Sequence, residues 1–438
     1  MDKTRSVILL GIFYFIILGC YSGGTTLINY LYDAIGFRGL GQQNIALTYA
    51  GFFIFNFSAA PMTAAFREVK LAIFIGFLFY GLMMMAGLFT YYCYQINDLD
   101  GVCSAYVIKA VNYTANFLLG AFGATLVWTG QYMFIDKISV KSEKKRLIAY
   151  FYMTFGFSDL FGNAFNYLYY SFDVSTLTYF IIFSSCICAA DLFLLMTVPG
   201  IADYDPSLEK DKPCTVNSIV EFDSLPAIEQ PKSTRESINA FMRLFSRNKI
   251  RAIIPYMAQS GVFQGYMTGA VYKVVVNLTP TNDGDSNKVK RHISLFMIVY
   301  ALLGSICSKA LGSNKTKKHS NSIMKLNSLM FTLVAAFLTM LPNYITSIWI
   351  VIACAFPLAI ANVSYNVLVS VYMAENFKGQ IESFLVFKQF QNIFTTIFMV
   401  CVVWMDSNVF NIWLTATNGV LCLLTIIFLP KDETIDTE

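Results

Sequence analysis

Charged residues are scarce in this chain. They make up 13% of its 438 residues, where a soluble domain carries roughly 25%. Histidine is almost absent, since only His292 and His319 occur, and the ten cysteines show no zinc-ligand spacing. No nucleophile–base pair and no phosphate-binding loop is found. We therefore expect neither an enzyme nor a bound metal or cofactor.

Apolar residues, by contrast, are abundant. Hydrophobic residues make up 56% of the chain and aromatic residues 16%. The apolar residues come in runs of about 20, each long enough to cross roughly 30 Å of hydrocarbon as a helix. The net charge of +4 is small and dispersed, which argues against a nucleic-acid partner. The sequence thus predicts an integral, multi-pass α-helical protein whose immediate partner is the lipid bilayer.

The apolar runs divide into two groups of six. We predict spans at 6–30, 44–66, 70–93, 105–135, 147–171, 177–199, 250–277, 293–312, 324–341, 346–373, 383–404 and 409–429. Residues 200–249 between the groups contain four prolines among acidic residues and serines, which indicates a linker. Ser233-Thr-Arg-Glu236 is a capping box that predicts an amphipathic helix near 233–248. The predicted domains are 1–199, 200–249 and 250–430, with a tail at 431–438.

Lysine and arginine are distributed unevenly over the predicted loops. With the N-terminus inside, interior loops and tails hold 24 of the 31 such residues and exterior loops hold five. This bias follows the positive-inside rule, so both termini are predicted to face the cytoplasm or its equivalent. Cys93 and Cys103 flank one short exterior loop and could form a disulfide if that side is oxidising.

The two groups of spans share short sequence patterns at equivalent positions. Gly19-x-x-x-Gly23 in the first span matches Gly261-x-x-x-Gly265 in the seventh. Gln131-Tyr-Met in the fourth span matches Val371-Tyr-Met in the tenth. Such matches at equivalent places support an internally duplicated transporter fold. The glycine pairs indicate either dimerisation faces or close helix packing within the bundle.

Polar residues recur at helical spacing along several spans and are expected to face the bundle interior or a cavity. Asp159 and Lys388 have the stronger case for function, because an unpaired charge at that depth costs roughly 3 kcal/mol or more. For the neutral residues, cavity lining and interhelical hydrogen bonding both remain open. Asp191 in the sixth span either faces another helix or extends toward the inner surface. The candidate site residues are Asn116, Trp128, Gln131, Asp159, Asn163, Gln259, Tyr266, Asn362, Asn366, Lys388 and Gln391.

The plan of six spans, a linker and six spans resembles the major facilitators, in which the first, fourth, seventh and tenth helices line a central cavity. The segment that ends in Trp128-Thr-Gly-Gln131 resembles the fourth-helix signature of the Unc-ninety-three-like branch, the ion-channel regulatory proteins. Phe161-Gly-Asn163 is similar to its fifth helix, Ala46-Leu-x-Tyr49 to its second, and aromatic-Lys388-x-x-Gln391 to its eleventh.

This resemblance implies an all-α membrane protein with 12 transmembrane helices in two pseudo-symmetric six-helix bundles. It also implies a regulatory, trafficking or structural partner of another membrane protein or complex, because relatives in this branch are better known in that role. The loop Phe66–Lys70 lacks the Gly-Asp-Arg-like pattern of active carriers, which points the same way. The alternative is a secondary transporter that moves a small solute by alternating access, with proton coupling as an option.

Overall fold

The computed structural model describes residues 2–96, 101–139, 147–148, 150–151, 154–172, 174–200, 233–279, 286–311, 319–340, 347–377 and 381–430. Over these ranges the regular secondary structure is helical and includes no strand. Most of the predicted linker and the whole predicted tail lie outside the described residues.

Twelve helices form the bundle within the described part of the chain. They are α1 Lys3–Ala34, α2 Leu40–Asn56, α3 Val69–Ile96, α4 Ala105–Ile138, α5 Ser158–Tyr169, α6 Thr176–Thr197, α7 Asn248–Gly269, α8 Ser286–Leu311, α9 Ser320–Met340, α10 Ile348–Met373, α11 Ile381–Trp404 and α12 Ser407–Phe428. Short helices follow α2 and α7, at Ala59–Ala64 and Val271–Leu278. A separate linker helix, Thr234–Phe245, precedes α7 and is capped by the hydroxyl of Ser233, which accepts from the backbone N–H of Glu236.

Nine of the helices in the described residues are long and apolar enough to cross a membrane. The other three are α2, α5 and α7. α2 has 17 residues, and part of the predicted fifth span lies outside the described ranges. α7 contains polar residues along its length, among them Gln259, Ser260 and Gln264. The chain is therefore an integral, multi-pass membrane protein. The count of twelve spans and the orientation of the termini stay predictions.

The helix pairings of α1–α6 recur among α7–α12. α1 packs against α5 and α6, as α7 packs against α11 and α12. α3 packs against α4 and α6, as α9 packs against α10 and α12. The two halves meet where α2 packs against α11 and α5 against α8, which is again an equivalent pair. The predicted fold class, an all-α bundle of two pseudo-symmetric halves, is confirmed.

Glycines bring two pairs of helices into backbone contact. A Cβ atom on Gly162 of α5 would overlap the carbonyl oxygen of Gly19 on α1. In the second half, a Cβ atom on Gly261 of α7 would overlap the carbonyl oxygen of Gln391 on α11. Both Gly-x-x-x-Gly pairs thus serve close packing inside the bundle, where the small side chain allows the backbones to approach.

Helices α4 and α10 each contain a π-helical turn, at Ala115–Gly120 and Ser364–Leu368. These helices occupy equivalent places in the two halves. A π turn inserts one extra residue into the helical repeat and often lies at a functional site. Two candidate site residues, Asn116 and Asn366, lie in these turns.

Cys93 and Cys103 form a disulfide between α3 and α4. α3 starts near the linker helix and runs to the opposite end of the bundle, so we name the two ends the linker side and the disulfide side. The disulfide side is the one that the lysine and arginine distribution predicts to be exterior.

Replacing both disulfide cysteines by serine is expected to lower the free energy of unfolding by about 2–4 kcal/mol, because the cross-link restricts the unfolded chain. Thermal unfolding of the purified protein measures this loss. On intact cells that carry the protein in the plasma membrane, a membrane-impermeant maleimide should label Cys93 and Cys103 only after reduction, with the double-serine variant as the background. Labelling that requires permeabilised cells would contradict the predicted orientation.

Candidate functional site

The contact between α1 and α5 places the carboxylate of Asp159 against α1. The hydroxyl of Ser22, which lies between the two packing glycines of α1, is close enough to the carboxylate to interact with it. Two turns further along α5, Asn166 donates from Nδ2 to the carbonyl oxygen of Gly23 at 2.8 Å. This bond fixes the register of the two helices. Asp159 remains partly exposed even though it lies within a predicted span.

Two tyrosine hydroxyls from other helices lie near the Asp159 carboxylate. Tyr49 of α2 and Tyr300 of α8 are both close enough to interact with it electrostatically. Tyr49 also lies close to the side chain of Gln264 on α7, and Tyr300 lies close to that of Asn362 on α10. The carboxylate is therefore linked to both halves of the bundle. We call this group of six residues the Asp159 cluster: Ser22, Tyr49, Asp159, Gln264, Tyr300 and Asn362.

Three aromatic side chains form a layer beside the cluster. The rings of Tyr21 and Tyr80 pack edge to face with centroids 4.6 Å apart. Both hydroxyls are close enough to Tyr49 to interact electrostatically, and the indole of Trp128 lies close to the hydroxyl of Tyr80. Tyr21, Tyr80 and Trp128 thus present an aromatic surface, which we call the aromatic layer, on the first-half side of the cluster.

Of the eleven predicted site residues, Asp159 and Asn362 lie in the cluster and Trp128 lies beside it. Asn366 is one turn along α10 and donates from Nδ2 to the Asn362 side-chain oxygen at 3.0 Å. Asn163 is fully buried on α5 and donates from Nδ2 to the carbonyl oxygen of Asp159 at 2.8 Å.

Four predicted residues are placed away from the cluster by their contacts. Gln259 donates from Nε2 to the carbonyl oxygen of Ser328 on α9 at 3.2 Å, so it joins α7 to α9. Tyr266 packs its ring on Phe331 of α9, with centroids 6.0 Å apart. Asn116 accepts from the hydroxyl of Thr48 on α2 at 3.2 Å. Gln131 is buried near the linker-side end of α4.

Lys388 and Gln391 form a separate pair on α11. The Lys388 ammonium donates to Oε1 of Gln391 at 2.7 Å and lies 5.0 Å from the ring centroid of Phe387. Among the described residues, no carboxylate forms an ion pair with Lys388. The two charges predicted to carry function, Asp159 and Lys388, are thus not partners of each other.

Asp191 is the other carboxylate well inside a described span. It is 1% exposed and has no hydrogen-bond partner among the described residues. It lies on α6, one turn beyond Cys188, whose sulfur packs against Gly81 of α3. Of the two orientations expected from the sequence, the structure has Asp191 facing other helices, outside the Asp159 cluster.

Sequence reasoning missed four members of the cluster: Ser22, Tyr49, Gln264 and Tyr300. Ser22 could have been recognised by its position between Gly19 and Gly23, the glycines that bring α1 into contact with α5. Tyr49 occurs in the Ala46-Leu-x-Tyr49 resemblance, but that match assigned it no place in the site, and no signal distinguishes Tyr300 in a chain with 26 tyrosines.

Hydrogen bonds join the two halves on the disulfide side. Asn29 of α1 donates from Nδ2 to the carbonyl oxygen of Thr268 on α7 at 2.5 Å. The hydroxyl of Tyr272 donates to Oδ2 of Asp33 at 2.9 Å and accepts from Nε2 of Gln42 at 2.5 Å. We call these five residues the disulfide-side gate, because their contacts hold α1 and α2 against α7.

We expect Tyr272→Phe to open the disulfide-side gate more often. The variant loses a hydrogen bond to a charged group, a contribution of about 1.5–3 kcal/mol, which corresponds to a population shift of about tenfold or more. The measurement is the rate at which an impermeant maleimide labels a cysteine at Thr25 from the disulfide side, in a background without other free cysteines. Tyr106→Phe is the matched control, because Tyr106 is 81% exposed on α4. Equal labelling rates in the two variants would show that the hydrogen bonds of Tyr272 do not keep the disulfide side closed.

The model of the Major Facilitator Superfamily matches residues 7–387. Solved structures with a similar fold include a D-xylose-proton symporter, with 14% identity, 98% of each chain covered and a TM-score of 0.64. They also include the nucleoside transporter NupG, with 12% identity, 98% of this chain and 99% of that chain covered and a TM-score of 0.64. A third is the peptide transporter POT in complex with sulfate, with 12% identity, 98% of this chain and 97% of that chain covered and a TM-score of 0.66.

No curated protein matches the sequence. At these identities the similarity to solved structures establishes the fold alone. The comparisons do not confirm the Unc-ninety-three-like branch, but the family match extends over most of the chain and the fold agrees with it. The chain belongs to the major facilitator superfamily.

Proposed function

We propose that this chain is a secondary transporter that moves a small solute by alternating access, with the Asp159 cluster as the solute site. The main support is the composition of the cluster, which draws side chains from α1, α2 and α5 in one half and from α7, α8 and α10 in the other. A site shared by both halves is what alternating access requires, because rocking of the halves exposes it first to one side and then to the other.

The disulfide-side gate supports the same proposal. It consists of a few hydrogen bonds between the halves, each contributing only about 0.5–3 kcal/mol. A contact of this strength can be broken and remade during a transport cycle. With this gate closed, we infer that solute reaches the Asp159 cluster from the linker side.

The regulatory-partner role rests on the Trp128-x-Gly-Gln131 resemblance. In the bundle, Trp128 packs against Tyr14 and Phe155, with ring centroids 6.2 and 5.4 Å apart, and Gln131 is 3% exposed. Gln131 is buried and Trp128 half-buried, so this signature does not form an exposed patch. The family match and the transporter folds favour transport over the partner role.

Purified protein in vesicles loaded with a water-soluble metabolite extract tests this proposal without knowledge of the solute. We expect one chemical class of metabolites to leave faster than from protein-free vesicles, as measured by mass spectrometry. Asn29→Cys combined with Thr268→Cys should stop this efflux on oxidation and restore it on reduction, because the disulfide locks the gate. Each single-cysteine variant is the control.

If the chain is a regulatory partner of another membrane protein, we expect the opposite result from the same preparation. No metabolite would leave faster than from protein-free vesicles, and purification in gentle detergent would yield a stoichiometric membrane-protein partner. That pair of results would overturn the transporter proposal.

A further inference from the structure

We propose that the solute is a small organic ammonium compound with an apolar body, and that it exchanges with a proton on Asp159. This inference rests on the proposed transport function and specifies its substrate class and coupling. Three features carry it: the isolated negative charge of Asp159, the neutral oxygens around that charge, and the aromatic layer beside it.

The first feature is charge. Among the described residues, no lysine, arginine or histidine forms an ion pair with Asp159, and Lys388 is bonded to Gln391 instead. The titratable groups that interact with the carboxylate are Tyr49 from α2 and Tyr300 from α8, both neutral hydroxyls. From α1 it receives only the hydroxyl of Ser22. The site therefore carries one uncompensated negative charge, which a cation would neutralise.

The second and third features describe the shape of that cation. Hydroxyl and amide oxygens of the Asp159 cluster can accept N–H donors, so an ammonium group beside the carboxylate would be satisfied by hydrogen bonds. The aromatic layer offers an apolar surface next to these oxygens, and aromatic faces attract cationic groups. An ammonium head with an apolar body fits both surfaces at once.

The exchange with a proton follows from the cost of an unpaired charge inside the membrane. When the disulfide-side gate is closed and the linker side has also closed during the transport cycle, an empty ionised Asp159 would be enclosed without a partner, which is unfavourable. The carboxylate is neutralised either by the bound ammonium ion or by a bound proton. Each cycle therefore carries one cation in one direction and one proton in the other. The proton leaves Asp159 on the side from which the cation enters.

Binding to the purified full-length protein tests the substrate class directly. The probes are phenethylammonium, cyclohexylammonium and tetramethylammonium, with 2-phenylethanol as the neutral match of the first and 3-phenylpropionate as the anionic match. We expect phenethylammonium to bind at least about tenfold more tightly than 2-phenylethanol, because only the cation neutralises the Asp159 carboxylate. In weakly buffered, mildly acidic solution, its binding should release protons, which a pH-indicator dye records.

Asp159→Asn should remove both the preference for the cation and the proton release, whereas Asp191→Asn should keep both. Asp191 is the matched control, a buried carboxylate on α6 that belongs to no part of the cluster. The comparison of charged and neutral probes on the unmodified protein does not depend on how well either variant folds.

Several outcomes would overturn the inference. They are equal binding of phenethylammonium and 2-phenylethanol, preferred binding of 3-phenylpropionate, stabilisation by sodium ions alone, and no binding of any of the three cations. Failure of the transport proposal is distinguishable. Cation-selective binding with proton release but no efflux from vesicles would reject the transport function and support the cation site. Efflux of an uncharged solute would support the transport function and reject the cation site.

Discussion

Asp159→Asn is expected to abolish pH-dependent transport by vesicles that contain this protein. Asparagine keeps the shape of the side chain and can still bond Ser22, but it cannot take up or release a proton and carries no charge for a solute. Losing the interaction of one buried charge, roughly 3 kcal/mol, corresponds to a fall in rate of about 100-fold. The measurement is solute flux driven by a pH gradient, compared across both directions of the gradient.

Asp191→Asn provides the matched control for that measurement. The chemical change is the same, but Asp191 lies on α6 and its oxygens have no hydrogen-bond partner among the described residues. Its flux and its response to pH should match those of the unmodified protein. Unchanged pH-dependent flux in Asp159→Asn would remove Asp159 from the mechanism, and equal losses in both variants would indicate a general effect of buried carboxylates on folding.

Much of the architecture was predictable because lipid leaves a chain few options. Apolar runs of sufficient length must be helices, and repeated Gly-x-x-x-Gly pairs in the first and seventh spans indicated helix contacts that recur in the structure between α1 and α5 and between α7 and α11. The π turns at Ala115–Gly120 and Ser364–Leu368 were not predictable, because one inserted residue barely alters the apolar pattern of a long helix.

The charged residue of the candidate site was predictable from the sequence, whereas most of its neutral residues were not. Asp159 stands out because carboxylates are rare in the spans, whereas Tyr49 and Tyr300 gain significance only when the fold brings their hydroxyls near the Asp159 carboxylate. Spacing along a helix identifies a face but not the neighbour that the face meets. Gln259 and Gln264 lie five residues apart, or about 140° around α7, so one reaches α9 and the other reaches Tyr49.

Gly162→Ala is expected to cause the largest loss of stability among single substitutions of the bundle glycines. A methyl group there would overlap the carbonyl oxygen of Gly19, which is backbone and cannot rotate away, so α1 and α5 would have to separate. Such overpacking costs about 1–3 kcal/mol or more, against a gain of about 1 kcal/mol from replacing glycine by alanine in a helix. Separation of the helices would also move Ser22 away from the Asp159 carboxylate.

Two other glycines give a graded series for thermal unfolding. On Gly19 a methyl group would lie 2.9 Å from a ring carbon of Phe161 and 3.1 Å from the carbonyl oxygen of Ser158, so a smaller loss is expected. On Gly419 of α12 it would meet nothing within 4 Å, so no loss is expected. If Gly162→Ala unfolds at the same temperature as Gly419→Ala, the close contact between α1 and α5 that holds Asp159 against Ser22 does not exist. If the loss follows the predicted order, the same contact that stabilises the first half also sets the position of the proposed solute site.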